Sequence, residues 1–264
     1  MSEFSPPATR QHGGALRWVR YGYRVPLLAL HVFLSLPFLL ACMALSPGRA
    51  CTESFGDRVV CWWSTRLLGI FGLRVRRIGT PLPNPALFVA NHVSWIDIVM
   101  LHSQRMMGFV AKREIAGWPL VGWLATRGQT IYHQRGSTAS LGGVLQAMLE
   151  RLRSGRSVGV FPEGRTRGGH DVGPFHARIF QAAVQAEVAV QPVALRYGAG
   201  GAAQTVVAFA PHENFFANFL RLLGEPGRVA EVHFLEPIRL QDVDGRRRIA
   251  ETARARIIAA MAQR

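Results

Sequence analysis

The sequence predicts an α/β fold: a mixed sheet flanked by helices, preceded by an N-terminal membrane-associated helical segment. Three observations predict it. Short apolar runs, among them Ala86–Ala90 and Ser157–Phe161, read as buried strands. Segments with helical periodicity lie between such runs, as in Leu141, Val144, Leu145, Met148, Leu149 and Leu152. Strands and helices alternating at this spacing argue for helices covering a sheet. The third observation is Val25–Leu45, interrupted only by Pro26, His31, Ser35 and Pro37. As a helix it would be about 32 Å long, enough for a bilayer core.

Taken in order, residues 1–24 read as a basic tail carrying Arg10, Arg17, Arg20 and Arg24. Arginines before an apolar span place its start on the cytoplasmic side. One full span would then put the rest of the chain outside. A second apolar stretch, Cys61–Leu73, contains Trp62 and Trp63 and is broken by Ser64 and Arg66. It is too short and interrupted for a span, and suits an interface. Residues 25–73 are therefore expected to form a shallow helix pair that dips into one leaflet and returns, with Pro26 and Pro37 permitting kinks. The alternative is a single anchor followed by a packed core helix. A cleaved signal is disfavoured, although Leu39-Leu40-Ala41-Cys42 resembles a lipoprotein processing box. The leading region and the apolar stretch are both too long for one.

Arg74–Pro85 reads as a basic, proline-containing boundary, and residues 74–264 as one domain. Strands are expected at Ala86–Ala90, Met107–Ala111, Thr130–Tyr132, Ser157–Phe161, Val188–Arg196, Thr205–Ala210 and Val229–Leu235. Helices are expected at Ile96–His102, Pro119–Ala125, Ser137–Arg153, Phe175–Ala186, Phe215–Leu223 and Arg246–Met261.

Composition narrows the partners. The 264 residues carry a formal net charge of +15, with Lys112 the sole lysine. Anionic partners follow: nucleic acid, a lipid headgroup surface or a phosphorylated substrate. A nucleic-acid binder would cluster arginines with stacking aromatics. Here Trp62, Trp63, Trp95, Trp118 and Trp123 lie within apolar runs or beside the candidate site, and the arginines are spread along the chain. No nucleic acid partner is expected. The cysteines, Cys42, Cys51 and Cys61, are odd in number and lack zinc-ligand spacing. There is no dinucleotide fingerprint, no phosphate-binding Gly-rich loop and no Gly-x-Ser-x-Gly elbow.

The chemistry concentrates at two strand ends. Asn91-His92-Val93-Ser94-Trp95-Ile96-Asp97 follows the first buried run. A turn entering a helix there brings His92 and Asp97 together. Asp97 would fix one ring nitrogen and leave the other free to take a proton from a substrate hydroxyl. Ser94 is poorly placed as a nucleophile, so direct attack by an acceptor alcohol is the simpler chemistry. The alternative is that His92 caps a turn and Asp97 pairs with an arginine. Phe161-Pro162-Glu163-Gly164-Arg165-Thr166-Arg167 follows a second run. Arg165 and Arg167 suit an anion, and Glu163 either orients the acceptor or holds an arginine. Arg135 and Lys112 add cations near two further strand ends.

These blocks carry a resemblance. The chain resembles the glycerolipid acyltransferase family that includes bacterial 1-acylglycerol-3-phosphate acyltransferases, over roughly residues 86–196. Asn91–Asp97 looks like its His-four residues-Asp catalytic block. Gly128-Gln129-Thr130-Ile131-Tyr132-His133-Gln134-Arg135 looks like the second, whose arginine helps bind the acceptor's phosphate. Phe161-Pro162-Glu163-Gly164 is similar to the third. Val190-Gln191-Pro192-Val193-Ala194-Leu195 is similar to the fourth, associated with donor binding or architecture through Pro192 and Val193. Lys112 matches a basic residue often found between the first two. The resemblance implies O-acyl transfer from acyl-CoA or acyl-carrier protein to a lysolipid hydroxyl, with no cofactor or metal. It also implies a bacterial inner membrane location with the site facing the cytoplasm. Lysophosphatidic acid is the first implied acceptor and phosphatidic acid the product. One departure matters: the family's usual Thr-Arg after Phe-Pro-Glu-Gly is here Arg165-Thr166-Arg167. Either Arg165 or Arg167 reaches the phosphate from an altered turn, or the headgroup differs. Gly173-Pro174-Phe175-His176 and Gln191–Tyr197 look like the branch that acylates lyso-ornithine lipid, which stands as the rival.

Overall fold

A computed structural model of the chain describes residues 14–45, 54–118, 121–134, 138–243 and 245–263. The N-terminal apolar segment is one continuous helix over Gly14–Leu45, long and apolar enough to cross a membrane. It comprises α1 (Gly14–Leu30), a π-helical turn (His31–Ser35) and α2 (Leu36–Leu45). It therefore starts well before Val25. The helix α3 (Phe55–Ile70) follows, opened by a capping box. Ser54 Oγ accepts from Asp57 N–H, and the Asp57 carboxylate accepts from Ser54 N–H. Its Val59 and Val60 pack against Leu36, Leu39 and Cys42 of α2, while Leu67 and Leu68 join the main core.

The strands are β1 (Leu73–Ile78), β2 (Leu87–Ala90), β3 (Gly108–Lys112), β4 (Ile131–His133), β5 (Val158–Val160), β6 (Val190–Tyr197) and β7 (Arg228–Phe234). They form one sheet in the order β1-β7-β6-β2-β5-β3-β4. All neighbours are parallel except β6 and β7. Strands buried on both faces read as near-continuous apolar runs, and β2 (Leu-Phe-Val-Ala) is buried throughout. Successive side chains alternate between layers. Phe88 and Ala90 meet α3 and the helices α4 (Ile96–His102) and α9 (Phe215–Leu223). Leu87 and Val89 meet α6 (Thr138–Arg153), α7 (Gln181–Ala186) and α10 (Gly245–Ala262). The remaining helices are α5 (Val121–Arg127) and α8 (Gln204–Val207).

Two sequence expectations are corrected. Leu-Arg-Val-Arg-Arg-Ile over Leu73–Ile78 is an edge strand rather than a boundary; its burial fades outward along the strand. Thr205–Ala210 is not a strand, because β6 already has β2 and β7 as neighbours. Its first part is the short helix α8. There the buried Gln204 side chain accepts from Tyr197 N–H and donates to Leu195 C=O.

The start of α1 is docked rather than free. Arg20 donates to Gly224 C=O, Tyr21 to Leu220 C=O, and Arg24 to the carbonyls of Leu223 and Glu225. These cap the C-terminal end of α9, where cationic donors are favoured. Gly72 is required at this crossing. Its φ is +77°, and a Cβ there would strike the buried Arg24 guanidinium.

Candidate active site

The parallel order β6-β2-β5-β3-β4 sends the C-terminal ends of five strands to one edge of the sheet, where open α/β folds place their sites. His92 and Asp97 lie just past β2, in the turn that starts α4. His92 Nδ1 is 2.8 Å from Asp97 Oδ2. The same oxygen accepts from the backbone N–H groups of Val93 (2.7 Å) and Ser94 (2.9 Å). Asp97 is fully buried, and its other oxygen accepts the Tyr197 hydroxyl at 2.5 Å. With only donors around it, the carboxylate faces an N–H at Nδ1, and the Nε2 lone pair of His92 is left for chemistry. Burial, then the Asp97 charge, pushes the Tyr197 phenol well above its ordinary range, so it stays a donor.

The His92 ring is held flat as well as hydrogen-bonded. It stacks on Phe161, centroids 4.0 Å apart, and Phe161 stacks on Phe109. The loop itself is pinned from both sides. Asn91 exchanges two hydrogen bonds with the Leu195 backbone. On the other side, His92 C=O accepts from Arg167 N–H at 2.8 Å.

Glu163 holds the two sequence blocks together. It is buried, and its two oxygens accept from the backbone N–H of His92 (2.9 Å) and of Gly173 (2.7 Å). Burial pushes its carboxyl up, and these N–H groups, the His92 side chain and Arg167 partly offset that. Arg167 Nε lies 3.5 Å from Glu163, so one arginine of the loop is committed inward. Arg165 is exposed and, among the described residues, has no side-chain partner. Gly164 takes a φ of +71°, and a Cβ there would lie 3.0 Å from the His176 ring. A cavity of about 360 Å³ opens beside His92, bounded by Glu163, His170, Asp171, Val172 and, from α10, Arg254.

The other predicted positions fall as follows. Lys112 ends β3, exposed. It is two strands from β2, which at ordinary strand spacing is about 10 Å, and it is not in contact with His92. Arg135 lies outside the described residues. Pro192 and Val193 are buried in β6, paired with Val89 and Ala90 of β2. Sequence reasoning missed the role of Tyr197 and the anchoring by Asn91. It also missed Asn218, fully buried in α9, whose side-chain oxygen accepts from Ser94 Oγ and Trp95 Nε1.

The chain is similar to known proteins in sequence and in fold. The profile of the Acyltransferase family matches residues 74–196. A lyso-ornithine lipid O-acyltransferase of Pseudomonas aeruginosa is 39% identical over 189 residues, covering 71% of this chain and 72% of that protein. A 1-acyl-sn-glycerol-3-phosphate acyltransferase of Neisseria gonorrhoeae is 40% identical over 148 residues, covering 56% of this chain and 58% of that one. The crystal structure of a 1-acyl-sn-glycerophosphate acyltransferase, PlsC, from Thermotoga maritima shares the fold. Its TM-score is 0.70 at 17% identity, covering 93% of this chain and 94% of that one. Sequence blocks, fold and relatives converge, and the chain belongs to the acyltransferase family that acylates glycerolipids and related lysolipids.

Proposed function

We propose that the protein moves a fatty acyl group from an acyl thioester, acyl-CoA or acyl-carrier protein, to the hydroxyl of a lysolipid. The observation that carries this is His92, fixed at Nδ1 by a buried, donor-saturated Asp97. Nε2 removes the acceptor's hydroxyl proton as the oxygen attacks the thioester carbon. The tetrahedral intermediate collapses, the C–S bond breaks, and the imidazolium returns its proton to the leaving thiolate. Gly164 N–H donates to Phe161 C=O, so an oxyanion donor from this turn comes from Arg165 or Thr166. The apolar helix Gly14–Leu45 supports a membrane location, and we place the site on the cytoplasmic face of a bacterial inner membrane.

For the acceptor, lyso-ornithine lipid is the reading better supported. A phosphate acceptor calls for free cations. Arg167 is committed to Glu163, and the cavity beside His92 is bounded by two carboxylates, Glu163 and Asp171, and by one guanidinium, Arg254, which donates to the carbonyls of Val172 and Gly173. That carboxylate-rich lining, with the exposed Asp171, suits the ammonium of an ornithine headgroup better than a phosphate. The Pseudomonas aeruginosa relative, aligned over most of both chains, bears that name. Lysophosphatidic acid is the second reading, supported by the exposed Arg165 and by the Neisseria relative. Purified full-length protein is given a radiolabelled acyl donor with each acceptor in parallel. Transfer preferring lyso-ornithine lipid, weakened by Asp171→Asn, is expected. Transfer to lysophosphatidic acid alone would overturn this assignment of the acceptor.

A further inference from the structure

Helix α9 is built inside out. A helix on the surface of a water-soluble domain turns polar residues outward. In Phe-Phe-Ala-Asn-Phe-Leu-Arg-Leu-Leu the polar side chains are Asn218 and Arg221, and both are engaged within the protein. Asn218 is fully buried. Arg221 donates to the Glu213 carboxylate and to the carbonyls of Val206 and Ala208. What α9 presents outward, one helical turn apart, is Phe216 (69% exposed) and Leu220 (55% exposed).

This apolar face is not isolated. Phe215 touches both Phe216 and Trp118, with centroids 5.4 and 5.3 Å apart. Trp118 is exposed, as is Trp123 on α5. Beyond the three N-terminal helices, the described exposed large hydrophobics are these four residues with Ile78 and Ile258. At the other end of α9, Arg20, Tyr21 and Arg24 of α1 grip its terminal carbonyls. The patch thus continues into the exposed apolar surface of the candidate span, through Trp18, Val19 and Tyr23. Exposed cations edge it: Lys112 and Arg113 precede Trp118 in sequence, and the Arg127 guanidinium lies over the Trp123 ring at 5.4 Å.

We infer that Phe216, Leu220, Trp118 and Trp123 form a second membrane-contact surface, by which the globular domain itself seats on an anionic leaflet beside the N-terminal helix. Tryptophans with an apolar helix face favour the headgroup boundary, and the flanking cations favour anionic lipid. A contiguous apolar patch of this kind marks an interaction surface. Its continuity with the apolar helix selects the bilayer over a second copy of the chain. The inference rests on membrane residence, not on the acceptor assigned above. Phe215 also packs edge-on against Trp95, which borders the His92 turn. The seated face therefore brings the leaflet close to the site that must receive a lysolipid.

The test uses the full-length chain with its cysteines replaced by serine, reconstituted in phosphatidylglycerol–phosphatidylethanolamine vesicles. A fluorophore is attached at Phe216→Cys, at Leu220→Cys or, as a control on the opposite layer, at Arg247→Cys. Quenching by a nitroxide on lipid chains is compared with quenching by aqueous iodide. The expected result is severalfold stronger lipid-borne than aqueous quenching at 216 and 220, reversed at 247. Water-like quenching at 216 and 220, or protection from both quenchers as in a protein interface, would overturn the inference. Acyl transfer by the same labelled protein is measured in parallel. Its failure with lipid quenching intact would count against the proposed reaction alone.

Discussion

The hydroxyl of Tyr197, at the end of β6, donates to Asp97 Oδ1 while His92 occupies Oδ2 of the same carboxylate. The pair legible in the sequence is thus a chain of three, with Tyr197 fully buried behind it. Tyr197 does not reach the reacting atoms. It fixes the carboxylate that fixes the imidazole.

Tyr197→Phe keeps the ring and removes that donor. A hydrogen bond to a charged group contributes about 1.5–3 kcal/mol, so kcat is expected to fall about 10- to 100-fold with KM nearly unchanged. A kcat unchanged in the folded variant, with only its thermal stability lowered, would make Tyr197 a packing residue only.

Glu163→Gln replaces two acceptor oxygens with one. Either His92 N–H or Gly173 N–H then faces an amide donor. An unsatisfied buried group costs about 1–3 kcal/mol. Thermal unfolding in detergent is expected to shift down by several degrees, with slower transfer because the His92 backbone loses its anchor. Wild-type stability and rate would show that the two blocks do not depend on this bridge.

Arg24→Met removes two donors from the end of α9 and leaves the carbonyls of Leu223 and Glu225 short of partners. The first part of α1 should loosen from the domain. Faster tryptic cleavage at Arg17 or Arg20 in mild detergent is the expected readout. Unchanged cleavage would mean that the remaining contacts of Arg20 and Tyr21 suffice.

Glu213 gives a pH test with a defined sign. Its hydrogen bond to Arg221, more than any other contact, lowers its carboxyl to about 2 from 4.5. Its contribution to stability is full above the unfolded-state value near 4.5 and is lost as pH falls toward 2. Glu213→Gln should therefore destabilise the protein at pH 7 and lose that effect progressively below pH 4.5. A constant difference across that range would separate Glu213 from the stability of α9.

Much of this was readable from residues because each layer spoke in one period. Ala86–Ala90 is apolar without a break and Val188–Arg196 nearly so, interrupted by Gln191 and ended by Arg196, as strands buried on both faces tend to be, and both are strands at the centre of the sheet. On α6, Val144, Leu145, Met148 and Leu152 repeat at helical spacing and pack into the core as read. Edge and filler segments were harder. The arginines of β1 hid a strand whose outer end meets solvent. Thr205–Ala210 is strand-like in composition, but the sheet had no vacant edge there. In the site, His92, Asp97 and Glu163 were visible through their blocks. Tyr197 and Asn218 were not, since their partners lie 100 and 124 residues away in the chain and only the fold joins them.

The most direct test of the account is transfer by His92→Ala. Wild-type and variant proteins, both shown to be folded and membrane-bound, receive radiolabelled acyl thioester and lysolipid. With the base removed, product formation is expected to fall by at least about 10²-fold, the low end for a positioned general base. A variant that still turns over near the wild-type rate would contradict the role of His92 and the mechanism built on it.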